Sequence, residues 1–214
     1  MKIHIKLAFA LLIAWFPINK VRCFLYRILF NYKIERSFIG WGTVISVAKA
    51  ELLECSIGRS CKFIGPMTIT IRKGSVIGSN NTFKCGVWAT EGRFKSENYD
   101  CNLDIGEKTL ITTHHYFDVV GSFVLGHSSW IAGKGSQFWT HGAGSMDHTI
   151  TIGEHCYIGS AVRFAPGSSV GDNCIVGLGS ILVKKSNTKN AIIAGNPAKV
   201  IRENFDWETK EYIS

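Results

Sequence analysis

Charge is scarce in this 214-residue chain: Asp, Glu, Lys and Arg together make up 19% of it, against 46% hydrophobic residues. Long apolar runs are missing too. The stretch Leu7 to Phe16 (LAFALLIAWF) is ten uncharged residues closed by Pro17, half of the ~20 that a membrane-spanning helix needs. The seven cysteines are odd in number and contain no Cys-x-x-Cys spacing. That argues for small buried hydrophobes in a reducing compartment rather than for nucleophiles or disulfides. No nucleic-acid-binding motif is present, although the net charge is +8. A basic balance without such a motif points to a membrane surface or a phosphorylated cofactor as the anionic partner.

What is abundant is repetition. Ile152, Ile158, Phe164, Val170, Val176 and Leu182 recur every six residues, each followed by a small or modest residue: Gly153, Gly159, Ala165, Gly171, Gly177 and Val183. Four positions after the first five of them stand Cys156, Val162, Ser168, Cys174 and Ser180. A helix repeats at about 3.6 residues and a strand at 2, so a period of six means a short strand and a turn wound repeatedly into a coil. The apolar residue points inward, and the small neighbour is expected to turn a tight corner. The phase recurs upstream with slips, through Ile57, Cys61, Phe63, Ile71, Ile77, Phe83, Ile105, Ile111, Leu125, Ile131 and Gln137.

The run from Ile150 to Val183, followed by Ile192–Glu203 with its Gly-Asn-Pro-Ala-Lys-Val-Ile core, resembles the hexapeptide-repeat acyltransferases, and among them the sugar and polysaccharide O-acetyltransferases. The resemblance covers residues 57–203. It implies an all-β fold, a left-handed parallel β-helix with three hexapeptides per coil, and a homotrimer that uses acetyl-CoA as co-substrate, with no metal, to acetylate a carbohydrate.

The organisation expected is an N-terminal amphipathic helical segment (1–37), the β-helix (38–186) and a C-terminal cap (187–214) ending in a short helix around Trp207 and Tyr212. Val21, Phe24, Leu25, Ile28, Leu29 and Phe30, interleaved with Lys20, Arg22, Arg27 and Lys33, describe an amphipathic helix with a basic rim. Residues 1–33 either dock on an anionic membrane or cap the first coil and make subunit contacts. A signal peptide is disfavoured for want of a small-residue cleavage site. Cytoplasmic residence, peripheral on the inner face of the membrane, is the expectation.

The chemistry is sought where the phase breaks. Gln137 to Ile152 is fifteen residues, not a multiple of six, and the segment between is rich in glycine and polar groups, so it leaves the coil as a loop. The resemblance makes a histidine there the general base, and His141, in Trp-Thr-His-Gly, matches best. An imidazole suits the task because its ordinary pKa lies near 6.5. His148 is a weaker candidate, and Asp147 could orient an imidazole. A second cluster holds His114, His115 and Asp118. His115 lies a little over one coil before His141, where it could bind the sugar, assist the base or be the base. Trp88, Tyr116, Phe138 and Trp139 offer faces on which a sugar could stack. By resemblance, Ser160 contacts the pantetheine arm, while Lys184, Lys199 and Arg202, with Lys185 nearby, face the cofactor phosphates. Leu178 stands where the family commonly has Ala, and a bulky Leu there is expected to narrow the groove beside the thioester; Val183 stands where Thr is frequent.

Three rival activities compete. N-acylation of a nucleotide-linked amino sugar differs only in the acceptor. A metal hydratase like the γ-class carbonic anhydrases needs a His-x-x-x-x-His pair on the repeat, and Gly159–Gly167 carries no histidine. An inert scaffold does not explain a loop rich in His, Asp and Gly.

Overall fold

A computed structural model describes residues 3–97, 99–209 and 211–212 of the chain. The six-residue phase is realised as a parallel β-helix whose coils stack three flat faces. The first face runs Phe38–Ile39, Ser56–Ile57, Val76–Ile77, Leu110–Thr113, Trp130–Lys134, Tyr157–Ile158, Cys174–Val176 and Ala191–Gly195. The second carries Thr82–Lys84, Tyr116–Asp118, Gln137–Trp139, Arg163–Phe164 and Ile181–Leu182. The third carries Asn102–Ile105, Ser122–Leu125, Thr149–Ile152 and Ser169–Val170. In the first coils two ten-residue strands, Val44–Leu53 and Lys62–Ile71, sweep across the second and third faces without a break.

Every apolar residue of the downstream repeat is buried, and so are Cys156, Val162, Ser168, Cys174 and Ser180. Behind the second face Phe63, Phe83, Phe117, Phe138 and Phe164 form a continuous stack, with successive ring centroids 4.4, 4.3, 4.6 and 5.2 Å apart. Each such pair adds about 0.5–1.5 kcal/mol beyond the area it buries. Phe138, not Gln137, is the inward residue of its coil, because a bulge between Ile131 and Lys134 adds one position. Phe138 is therefore core and offers no face to a sugar.

The small residue after each inward one has a reason other than the expected corner. Gly58, for example, is not in the left-handed region; a Cβ there would come within 2.7 Å of the Gly78 carbonyl carbon in the next coil. The coils touch backbone to backbone at this point, and the left-handed turn falls two residues later, on Ser60, Asn80, Ser128 and Ala161.

The N-terminal segment is two helices, α1 (Ile3–Ala14) and α2 (Asn19–Phe30), folded over the first coil. Ala10, Ile13, Ala14, Tyr26 and Phe30 face the coil. The open strand edge beneath is satisfied by side chains. Tyr32 bonds the backbone N–H and C=O of Val47 (2.9 and 2.8 Å), and Lys6 donates to the same carbonyl. Arg22 is buried, donating to Ile39 O at 2.6 Å and to Phe16 O, so it is a structural clamp and not part of a basic rim. Lys33 is tied to Glu51 at 2.6 Å.

The C-terminal end differs from the helix expected. After Gly195 the chain turns back as Ala198–Arg202, antiparallel to Ala191–Gly195, and Phe205–Asp206 then pairs with Glu211–Tyr212. The last coil exposes a row of unpaired backbone groups, and a returning strand satisfies them where a helix would not. Trp207 lies against Trp130 and Tyr157 on the first face.

Candidate active site

Two insertions leave the coil at the same corner, between the second and third faces. One runs from Cys85 to Cys101, after Thr82–Lys84; the other covers 140–148, after Gln137–Trp139. Only the short crossing at Val119–Gly121 separates them, so they pack on each other. The Trp88 ring meets His141 edge-on with centroids 5.2 Å apart, and Tyr99 meets His148 at 4.9 Å. Gly121 permits this: a Cβ there would lie 1.9 Å from the His148 carbonyl oxygen.

The crossing delivers Asp118 to the base of the second loop. Asp118 is buried, and its Oδ2 accepts from His141 Nδ1 at 2.6 Å, from the His141 backbone N–H at 3.2 Å and from the Thr140 hydroxyl at 3.2 Å. Thr140, also buried, accepts from Gly121 N–H at 2.8 Å. The carboxylate thus fixes both the ring and the backbone of His141. With Nδ1–H given to Asp118, Nε2 carries the lone pair, and the His141 side chain remains 32% exposed. The site has a carboxylate-anchored imidazole facing solvent beside the exposed Trp88 ring, an arrangement chemically able to accept a proton at Nε2.

The other sequence candidates fall elsewhere. His115 is buried inside the coil, its Nδ1 accepting from Ser136 N–H at 3.1 Å and its Nε2 3.0 Å from Thr112 Oγ1. Burial pushes its pKa down to about 4, and both nitrogens are engaged within the coil, so in this chain it is not joined to the His141–Asp118 pair. His114 bonds Thr113 Oγ1 at 2.7 Å on the next corner. Asp147 does not orient an imidazole; it pairs with Lys185 at 2.5 Å and caps Thr149 N–H at 2.8 Å, which lowers its pKa. His148 Nδ1 is shut from solvent without a hydrogen-bond partner. Among the described residues no three metal-ligating side chains converge.

Ser160 and Leu178 stand on consecutive coils at the corner between the first and second faces, where Gly179 N–H donates to Ser160 O at 2.9 Å. Leu178 is 80% exposed. Lys184 lies on the opposite edge of the second face, below the His141 loop, and lines a cleft of roughly 300 Å³ with Lys199, Pro197 and Val183. Arg202 is not in that cleft; its guanidinium packs on Phe205, 5.4 Å from the ring centroid. The sequence named Trp88 but not the loop that carries it. The signal was there: Phe83 to the next inward residue, Leu103, is twenty positions, another break of phase.

Over 145 residues the chain is 32% identical to the Escherichia coli (strain K12) protein named as a colanic acid biosynthesis acetyltransferase, WcaF, covering 63% of this chain and 72% of that one. The chain belongs to the hexapeptide-repeat acetyltransferases. It is an acetyl-CoA-dependent acyltransferase, with the left-handed parallel β-helix of that family. Galactoside O-acetyltransferase of E. coli (strain K12) is 46% identical over 64 residues, 30% of this chain and 31% of that one. Among solved structures, the polysialic acid O-acetyltransferase OatWY superposes over 86% of this chain and 89% of its own, with a TM-score of 0.58 at 20% identity. The polySia-specific acetyltransferase NeuO does so over 82% of each chain, at 0.52 and 21%. These two show the shared fold. No family profile matches the sequence.

Proposed function

We propose that this acetyltransferase moves the acetyl group of acetyl-CoA to a sugar hydroxyl of a surface polysaccharide or of its lipid-linked precursor, with His141 as the general base. The observation that carries it is the 2.6 Å bond between His141 and buried Asp118, placed beside the exposed Trp88 ring. WcaF and galactoside O-acetyltransferase carry names that point to carbohydrate acceptors. Nε2 takes the hydroxyl proton as the oxygen attacks the thioester carbonyl. The tetrahedral oxyanion collapses, the C–S bond breaks, and the imidazolium returns its proton to the departing CoA thiolate. Asp118 stabilises the imidazolium in between. In this reading Lys184 and Lys199, which line one cleft, meet the cofactor phosphates, and Ser160 and Leu178 meet the pantetheine arm.

A trimer belongs to this proposal. Ser160 and Leu178 occupy the opposite edge of the second face from His141, so a cofactor lying along one chain's Ser160 edge meets the His141 of a neighbour. The first face carries an apolar column as well, part of it covered by Trp207 of the same chain. Phe38, Ser56, Val76, Leu110, Trp130, Tyr157, Ile175 and Ile192 are successive register partners in one outward column, and all but Ser56 are apolar. Residence on the cytoplasmic side, where acetyl-CoA is made, and peripheral membrane contact through residues 1–33 complete the proposal.

The test is to incubate the purified protein with acetyl-CoA and candidate glycans and to measure thiol release and acetylated product by mass spectrometry. Acetylation of a sugar oxygen, lost in His141→Ala, is expected. Acetylation of an amino sugar nitrogen instead would replace the acceptor assignment, and activity that survives His141→Ala would remove the base.

A further inference from the structure

The helical hairpin leaves uncovered a surface that the fold does not use. α1 packs on the first coil through Ala10, Ile13 and Ala14, yet after His4 its exposed residues are all apolar, and so are Trp15 and Phe16 just beyond it. Leu12, 70% exposed, stands on a ridge between Phe9 and Phe16. Beyond Lys6 the helix has no polar side, and an apolar helix surface of this extent is normally covered in its working state. α2 exposes Phe24 and Ile28, both by more than half. α1 is 12 residues long, about 18 Å at 1.5 Å per residue, and no helix among the described residues is long and apolar enough to cross a membrane.

Charge decides between covers. The first acidic residue in the chain is Glu35, whereas six Lys and Arg precede it. Of these, Arg22 and Lys6 are spent on backbone carbonyls and Lys33 on Glu51, and Lys2 lies outside the described residues. Lys20 and Arg27 are exposed on α2, on the same helix as Phe24 and Ile28. The exposed Trp15 and Trp41, in edge contact at 4.5 Å, close the end of the hairpin, and tryptophan favours the level of lipid headgroups.

We propose that the hairpin lies in the interface of an anionic lipid bilayer, with Phe9, Leu12, Phe16 and Ile28 among the acyl chains and Lys20 and Arg27 on the headgroup phosphates. This rests on the peripheral contact proposed above and names its partner: an acidic leaflet, read by hairpin residues that take no part in acetyl transfer. The β-helix is thereby held at the surface where a lipid-linked sugar would be presented.

The probe is flotation of the full chain with vesicles of phosphatidylcholine alone or with 30% phosphatidylglycerol. At low salt the protein should float with the acidic vesicles and far less with the neutral ones. Lys20→Gln with Arg27→Gln should lower partitioning about thirtyfold, near fivefold per basic group, and the loss should fade at high salt. Leu12→Glu should lower it at least tenfold at any salt. In every variant light scattering and acetyl transfer to a soluble sugar should match the parent, which separates a failed membrane site from a failed enzyme. Protein that stays soluble with acidic vesicles at low salt overturns the proposal. So does Leu12→Glu that changes the number of chains per particle, because the ridge would then be a subunit contact.

Discussion

Asp118→Asn removes one negative charge and keeps the shape of the site. The carboxylate now receives three donors, the closest being His141 Nδ1 at 2.6 Å. As the proton moves to Nε2 the imidazolium becomes a full charge next to a full charge. At about 4 Å between charge centres and an effective dielectric near 20, that attraction is ~4 kcal/mol. At 1.36 kcal/mol per decade it corresponds to about three orders of magnitude in turnover. The amide has a further fault: if its NH₂ faces the ring, Nδ1 becomes the acceptor, and Nε2 carries the proton it should take. A fall in kcat of ~10²–10³ with little change in KM for acetyl-CoA is expected, measured by thiol release under saturating substrates. The double variant with His141→Ala should be no worse than His141→Ala alone, because Asp118 acts only through that ring. Turnover within threefold of the parent, or losses that multiply in the double variant, would refute the dyad.

His141→Ala should cost about two to four orders of magnitude in kcat while circular dichroism and chain number are unchanged. Lys184→Ala and Lys199→Ala should each raise KM for acetyl-CoA about tenfold with kcat preserved, as lost charge-assisted contacts do. Leu178→Ala should open the groove, so that propionyl- and butyryl-CoA gain relative to acetyl-CoA in kcat/KM. His115, held near pKa 4 in the fold and titrating near 6.5 once unfolded, gives a pH effect of definite sign. Below about 6.5 the unfolded chain takes up a proton that the folded chain refuses, so stability falls as pH drops toward 4, by up to ~1.4 kcal/mol per pH unit per chain. Denaturant midpoints across that range should show the slope in the parent and a shallower one in His115→Gln.

The coil was legible because its inward positions are spaced by a rule that burial alone enforces, and Ile152 through Leu182 obey it without exception. The His141 loop was legible for the opposite reason, as a break in that rule. Its partner Asp118 is named within the second cluster, but its pairing with His141 was not legible. Asp118 and His115 sit three residues apart in one motif, and spacing along a chain does not say that one turns outward to the corner and the other into the coil. The same holds for Arg22, whose place in an amphipathic pattern gave no sign that it would close a strand edge. The terminal helix was misread because the segment's form is set by the open edge of the last coil, a tertiary demand that local composition does not carry.

A core made of repeats is ambiguous by a whole coil. Phe63, Phe83, Phe117, Phe138 and Phe164 fill equivalent places, so a chain threaded one coil out of step would still lay ring on ring. The polar group buried at His115 has no such tolerance. Its backbone N–H meets the Asn81 side chain at 2.9 Å, Asn81 donates to Gly78 O and Thr112 O at 3.0 and 2.7 Å, and the imidazole lies between Thr112 and Ser136. A threading shifted by one coil would take the imidazole away from Thr112 and Ser136, at about 1–3 kcal/mol for each buried group left unpaired. The knot therefore acts as an index mark on an otherwise unnumbered spool, and correct counting of coils during folding is what brings Asp118, only three residues further on, under His141.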